Sequence, residues 1–385
     1  MKRHLCLALL LAFLPVAFAP ARAQEKGRVS VALQPFVDSK SLAGAVVLVA
    51  DKDKVLAHES VGFADIARML SMPLDAIFWI ASMTKPITGA ALMILVDDGK
   101  VKLDDPIEKY LPEFKGHWMI VEQDKDRLIL SKPKRLVTVR DVMNHTSGMP
   151  FRSAMEVPTI DVLPLKDCVR SYAITPLNSE PGTKYVYSNA GINTGGRIIE
   201  VASGMSYEDF LDKRLFGPLG MKDTTFWPTE AQLKRLATTY KPGKDKTGLE
   251  PMPIAPLRYP LSDRSRYACP GGGLFSTASD CGIFCQMVAG GGVYKGKRIL
   301  SESAVKEMTA RQTAPDIKTG YGVGWAITGD TFGHGGAYAT NMQIDAKRGL
   351  ITVYMVQHAG FPGNGGQGLT AFRKAAEETF GAQKK

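Results

Sequence analysis

The stretch "WIASMTKPITGAALMILVDDGK", Trp79 to Lys100, places a serine and a lysine three residues apart at the opening of an apolar run. If Ser82 opens a helix, Ser82 and Lys85 lie one turn apart and share a face. A serine hydroxyl is a poor nucleophile unless a base adjoins it, and a lysine is a base only when neutral. Burial and nearby positive charge favour the neutral amine, and the positive end of a helix supplies some of that charge. Pro86 falls at or just after the first turn, where a missing N–H costs little. The spacing alone also fits two polar residues opening an amphipathic helix, so the rest of the chain has to arbitrate.

The 385 residues begin with an export-signal pattern. Lys2, Arg3 and His4 precede the apolar run "LCLALLLAFLPVAFA", and Ala21-Arg22-Ala23 is a small-x-small cleavage site. The expectation is removal of residues 1–23 and a periplasmic or secreted protein that starts at Gln24. The run is too short for a membrane span and Pro15 interrupts it. Cys6 lies inside it, so a lipid-anchored mature cysteine is not expected. No later segment is long and apolar enough to span a bilayer.

The formal net charge is +10, of which the segment's Lys2, Arg3 and Arg22 carry three. The remaining bases are dispersed apart from Lys132, Lys134, Arg135 and Arg140, which read as a solvated face; no nucleic-acid motif accompanies them. Cys168, Cys269, Cys281 and Cys285 remain after the signal. Cys281 and Cys285 fall four apart on an expected helix, which disfavours a bond between them, and all four read as buried thiols. No histidine near them suggests zinc. His58, His117 and His358 lack metal-ligand spacing, and no cofactor is expected.

"VSVALQPFVDSKSL" has helical spacing, and "AGAVVLVADKDKVLAHESVGFAD" reads as two strands around a turn at Asp51 to Lys54. Helix starts are marked at Thr138 with Asp141, Ser206 with Asp209 and Thr277 with Asp280; Gly148 and Gly204 sit where helices should stop. "TGYGVGWAITGD" and "TFGHGGAYATNMQIDAKRGLITVYMVQH" read as strands, with a hairpin across Ala346 to Gly349, and "LTAFRKAAEETF" as a closing helix. Strands at both ends with helices between them predict an α/β (α+β) fold. One antiparallel sheet is built from both termini and flanked by helices, and a mostly helical insertion forms a second lobe. The expected division is one domain over 24–385, with an α/β lobe of about 24–98 and 270–385 and a helical lobe of about 99–269. A cleft between the lobes is the default site.

Two further elements could serve Ser82. In "GTKYVYSNAGINTGGRIIEVASG", a short strand is expected to lead into Tyr187-Ser188-Asn189, with Tyr187 and Asn189 facing one side. A phenol there could relay a proton, and an amide could orient the lysine and a substrate carbonyl; the same tripeptide also fits a buried aromatic beside a helix-capping asparagine. In His334-Gly335-Gly336, two glycines would let a substrate backbone approach a strand, and the Ala337 N–H could join that of Ser82 as an oxyanion donor; a bulge with an exposed histidine is the alternative. His145 in "NHTSG" is a further candidate base, but it closes an expected helix in a framework stretch. No Gly-x-Ser-x-Gly occurs, which argues against an α/β-hydrolase nucleophile elbow.

In order and context these elements resemble the penicillin-recognising serine hydrolases: class C β-lactamases, low-molecular-weight penicillin-binding proteins, D-amino-acid-specific peptidases and β-lactamase-like carboxylesterases. The family signature of Ser-x-x-Lys, Tyr-x-Asn and a Lys/His/Trp-x-Gly strand triad matches Ser82 to Lys85, Tyr187 to Asn189 and His334 to Gly336. "RLVTVRDVMNHTSGMP", "LFGPLGMKDTTF", "GGGLFSTASD" and "GYGVGWAI" also look like members of it. The resemblance implies a β-lactamase/penicillin-binding-protein-like fold and a serine hydrolase acting on an ester, a β-lactam or a peptide. Ser82 would be acylated, and Lys85 with Tyr187 would act as general base. Asn189, His334, Gly335 and Gly336 would bind substrate, and the Ser82 and Ala337 N–H groups would form the oxyanion hole. A D-amino-acid-specific peptidase, or a sensor that acylates with little turnover, is the alternative it also implies. Where many members carry a lysine that meets a substrate carboxylate, this chain has His334, largely neutral near pH 7.

Overall fold

A computed structural model describes residues 29–381; the expected signal at 1–23 lies outside them. The sheet is antiparallel and draws on both chain ends. Its strands are β1 (Gly44–Ala50), β2 (Val55–Asp65), β3 (Leu70–Ser71), β4 (Gly320–Tyr321), β5 (Ala326–Thr328), β6 (Thr331–Gly335), β7 (Asn341–Asp345) and β8 (Leu350–Met355). Their spatial order is β4-β5-β6-β7-β8-β1-β2-β3. The first strand of the N-terminal hairpin therefore pairs with the last strand of the C-terminal meander, with Leu48 opposite Val353. The expected turns at Asp51 to Lys54 and Ala346 to Gly349 are where the chain reverses.

Strand β1 is buried along its whole length, so both sheet faces are covered. Val46, Leu48, Val353 and Met355 face a core that contains α1 (Thr84–Asp97) and α3 (Ala278–Ala289). Val47, Val49 and Tyr354 face a second core built by Leu33, Phe36 and the closing helix α4 (Gly368–Phe380). In helix α1 residues Thr84 to Leu95 are all buried, the polar Thr84, Lys85 and Thr88 included. Three points differ from expectation. Gly148 does not end a helix. That helix stops at Met143, and Gly148, with φ of 79°, lets its backbone pass the Ser179 carbonyl, which a Cβ would approach to 2.3 Å. No strand precedes Tyr187, and Ser188 rather than Asn189 caps the following helix, α2 (Asn189–Ser203). The hairpins Met119–Gln123 with Leu128–Ser131 and Thr239–Pro242 with Leu249–Met252 interrupt the helical region.

Cys168, Cys269, Cys281 and Cys285 are buried and unbonded. No helix among the described residues is long and apolar enough to cross a membrane.

A fully buried ion pair locks two loops of the helical region together. Arg266 Nε meets Asp161 Oδ2 at 2.6 Å, with the side chains 1 % and 0 % exposed. Arg266 also donates to the Phe226 and Leu261 carbonyls, and Asp161 accepts the Arg258 N–H at 3.0 Å. Removing one partner of such a pair strands a charge, at a cost of about 3–5 kcal/mol. Asp161→Ala is therefore expected to lose about that much stability in guanidinium unfolding. A loss below about 1 kcal/mol, the scale of an exposed pair, would contradict the assignment.

Candidate active site

Ser82 sits in a 3-10 turn, Ala81–Met83, that runs directly into α1. The turn is pinned from several sides. Phe78 and Trp79 pair with Ser276 and Phe275, Trp79 Nε1 donates to the Gly272 carbonyl at 2.8 Å, and Thr84 Oγ1 donates to the Ala81 carbonyl at 2.6 Å. Ala81 has φ of 45°, a left-handed conformation that costs a non-glycine residue about 1–2 kcal/mol. The tie points hold that strain immediately before the serine.

Lys85 is the second residue of α1, fully buried, and Pro86 follows it within the first turn, where the N–H groups have no helical partner anyway. Lys85 Nζ reaches Ser82 Oγ at 3.1 Å, Asn189 Oδ1 at 2.8 Å and the Gly271 carbonyl at 2.6 Å. Burial drives its pKa from 10.5 down to about 7, against a weaker opposing pull from Cys269. The neutral amine has two N–H donors and one lone pair. With Asn189 and Gly271 taking both donors of the neutral amine, its lone pair is left to accept from the Ser82 hydroxyl.

Tyr187 completes this group. Its ring lies 4.7 Å from Lys85 Nζ. Burial raises its pKa to about 12, an effect that a hydrogen bond with Ser82 partly offsets. The phenol therefore holds its proton at neutral pH. The segment is positioned by α2: Ser188 Oγ accepts the Gly191 N–H at 2.9 Å, and the Phe151 carbonyl accepts the Asn189 N–H at 2.9 Å.

The third element arrives on β6. The β5 ladder ends at Gly333, while β7 still pairs with His334 and Gly335, so the last residues of β6 present an open backbone edge. Gly336 brings that edge against the serine turn: a Cβ there would lie 2.5 Å from the Ile80 carbonyl. Ala337 is thereby set beside the turn that carries Ser82. In that turn the first bond runs from the Met83 N–H to the Ile80 carbonyl, so the Ser82 N–H precedes the helical ladder.

His334 turns inward. Nδ1 lies 2.7 Å from the Gly335 carbonyl and must donate to it; Nε2, 2.9 Å from the Tyr321 hydroxyl, is then the acceptor. Burial, reinforced by the charge of Lys85, lowers its pKa to about 3. Both nitrogens of a neutral ring are thus engaged within the protein. His145 packs behind Tyr187 and Tyr321, 4.5 Å between centroids in each case. Its Nδ1 accepts the Ser188 N–H at 3.1 Å, so it buttresses the Tyr187 segment instead of facing Ser82.

The structure therefore brings Ser82, Lys85, Tyr187, Asn189 and the His334 to Ala337 segment together. Reading the residues in order misses Gly271 and Tyr321. Gly271 lies in the glycine-rich "CPGGGLF" and Tyr321 in "GYGVGW". These two glycine-rich stretches were the available signals. Gly324, in the latter, packs its backbone on the Lys85 carbonyl, which a Cβ would approach to 2.4 Å.

The chain is similar to known proteins in sequence and fold. The family model described as Beta-lactamase matches residues 29–376. The Mycobacterium tuberculosis protein Rv1367c is 31% identical over 355 residues, covering 83% of this chain and 87% of its own. Esterase EstB of Burkholderia gladioli is 28% identical over 292 residues, 69% of this chain and 70% of its own. The solved structure of EstCE1, a hydrolase with promiscuous acyltransferase activity, superposes with a TM-score of 0.75 at 23% identity, covering 91% of this chain and 97% of that one.

Proposed function

The chain belongs to the Beta-lactamase family, and from that premise we propose that it is an exported serine hydrolase that cleaves esters through an acyl-enzyme on Ser82. The observation that carries this reading is the fully buried Lys85, with two acceptors on its amine and its third contact on Ser82 Oγ. The export part rests on the N-terminal sequence pattern alone.

Ser82 Oγ attacks the substrate carbonyl carbon as its proton passes to Lys85 Nζ. The oxygen that becomes negative is received by the N–H groups of Ser82 and Ala337. The carbon–oxygen bond to the leaving group then breaks, and the departing alcohol takes the proton from Lys85 by way of the Tyr187 hydroxyl. Water, activated by the same pair, attacks the acyl-enzyme and restores Ser82. Asn189 holds Lys85 and the substrate, and Gly335 and Gly336 let the substrate lie along the open edge of β6.

His334 sets the expected preference. With Nδ1 and Nε2 committed to Gly335 and Tyr321, it offers no charge to a substrate carboxylate, which favours uncharged substrates. Two phenyl esters that differ only in a carboxylate on the leaving group test this. The neutral ester is expected to have the higher kcat/KM by about tenfold or more, the scale of one hydrogen bond to a charged group. A preference for the anionic ester would overturn the reading. A chromogenic cephalosporin and a D-Ala-D-Ala peptide run alongside. Faster turnover of the peptide would make the protein a D-amino-acid-specific peptidase. A lasting mass gain from the cephalosporin without turnover would make it a sensor.

A further inference from the structure

We propose that Asn193 is a positioning residue for Lys85: its carboxamide oxygen pins the Gly271 N–H and so aims the Gly271 carbonyl at Lys85 Nζ. The proposal rests on Lys85 being the base for Ser82.

Asn193 lies one turn beyond Asn189 on α2, so the two side chains share a face. Asn189 contacts Lys85 directly, at 2.8 Å. Asn193 acts one peptide removed: its Oδ1 accepts the Gly271 N–H at 2.9 Å, and the Gly271 carbonyl accepts from Lys85 at 2.6 Å. A single helix face therefore governs both acceptors that hold the amine.

Gly271 needs such a hold. A Cβ at this position would lie 3.0 Å from Asn189 Cγ and 3.1 Å from Asn193 Oδ1, so a side chain would press on both asparagines. Glycine fits the space but is the least restrained residue about its own backbone torsions. The peptide on its N-terminal side is held at both ends, by Thr88 on the Pro270 carbonyl at 2.8 Å and by Asn193 on the Gly271 N–H.

The orientation of Asn193 is itself determined. Tyr172 spends its hydroxyl proton on Glu156 Oε1 at 2.7 Å, and Tyr267 spends its own on Cys269 Sγ at 3.4 Å. Both hydroxyls are left as acceptors, and Asn193 Nδ2 donates to them at 3.0 and 3.1 Å. With the amide nitrogen committed there, the oxygen must face Gly271. The buried Glu156 carboxylate thus fixes, through Tyr172, which end of Asn193 meets the glycine loop.

The test is the acid limb of kcat/KM for a neutral ester, where Lys85 loses its proton. The titratable groups facing Lys85 do not change charge there: burial holds the Tyr187 phenol up at about 12 and the Cys269 thiol up at about 11, and keeps His334 and His145 neutral. Glu156, whose carboxyl burial raises, faces Tyr172 and not Lys85. A carbonyl acceptor stabilises the ammonium more than the amine. Asn193→Leu releases the Gly271 N–H and leaves the next peptide tied only by the Gly272 N–H on the Cys269 carbonyl at 3.2 Å, so the midpoint is expected to fall by up to about one pH unit. The plateau is expected to drop about 10- to 100-fold, through kcat more than KM, because the base is misplaced.

An unchanged midpoint, with activity lost only in proportion to unfolded protein, would make Asn193 purely structural and overturn the proposal. Asn193→Asp keeps the acceptor and adds a negative charge, so its midpoint is expected to rise. A shift in Asn193→Asp alone would also overturn the proposal, since charge at a distance explains it. If Asn193→Leu does not fold, Asn193→Ser is read in the same way. A wild-type profile with no acid limb near 7 would instead remove the assignment of Lys85 as base, which keeps the two failures distinguishable.

Discussion

Ser82→Ala is expected to reduce ester turnover by about a millionfold in kcat, the scale seen when a nucleophile is removed from a preorganised group. Residual catalysis of about 10³- to 10⁴-fold over water is expected from the oxyanion donors and binding alone. The size of the loss follows from the division of labour around this atom. Lys85 and Tyr187 both converge on the Ser82 hydroxyl, so in the proposed mechanism its removal leaves the base no proton to take and the acyl group nowhere to rest. The fold is not expected to suffer, because the turn is held by its backbone and by Trp79 and Thr84, not by the serine side chain. Two measurements check this. Intact mass after exposure to a slowly hydrolysed ester should show one acyl adduct on the wild type and none on Ser82→Ala, and thermal unfolding should be nearly unchanged. Full activity in the variant would remove Ser82 from the mechanism.

The parts of the molecule legible in the sequence are those set by neighbours in the chain. The strands around Asp51 to Lys54 announce themselves by the apolar run GAVVLVA before a polar turn and the mixed stretch VLAHESVGFAD after it, and the Thr138, Ser206 and Thr277 starts by a cap and an acid three residues on. The spacing of Ser82 and Lys85 is likewise local. What sequence order hides is tertiary. Nothing near Tyr187 reveals that Ser188 caps the helix or that His145 supports it from 43 residues away. The inward turn of His334 depends on Tyr321, on another strand. The hairpin at 119–131 was obscured because its apolar residues Val121, Leu128 and Ile129 are exposed, so they do not follow a buried face. Helix α1 shows the opposite case, polar residues that are buried. The polar residues at its start, Thr84, Lys85 and Thr88, are buried because each finds a partner inside.

Lys85→Ala is expected to lower kcat/KM by about 10³- to 10⁴-fold, the upper range for a positioned general base. Lys85→Arg is not expected to restore it: guanidinium keeps its charge at any pH the protein survives, so a role for positive charge alone would predict rescue. The wild-type profile carries the same information. Burial lowers the Lys85 pKa to about 7, so the active amine is the form present above that pH. Activity on a neutral ester should rise through about pH 7 and level off, and fall about tenfold per unit below it. The same burial bears on stability in a stated direction. Between about 7 and the ordinary lysine value of 10.5, the unfolded chain binds a proton that the folded chain has released, so this group's contribution makes the fold more stable as pH rises across that window and least stable below it. Replacing Lys85 by methionine, which fills the space without a charge to desolvate, is therefore expected to raise the unfolding temperature below pH 7 while abolishing turnover. A variant both inactive and less stable at pH 6 would show that the lysine is held for packing. A variant inactive yet more stable would mark a base kept at the expense of stability.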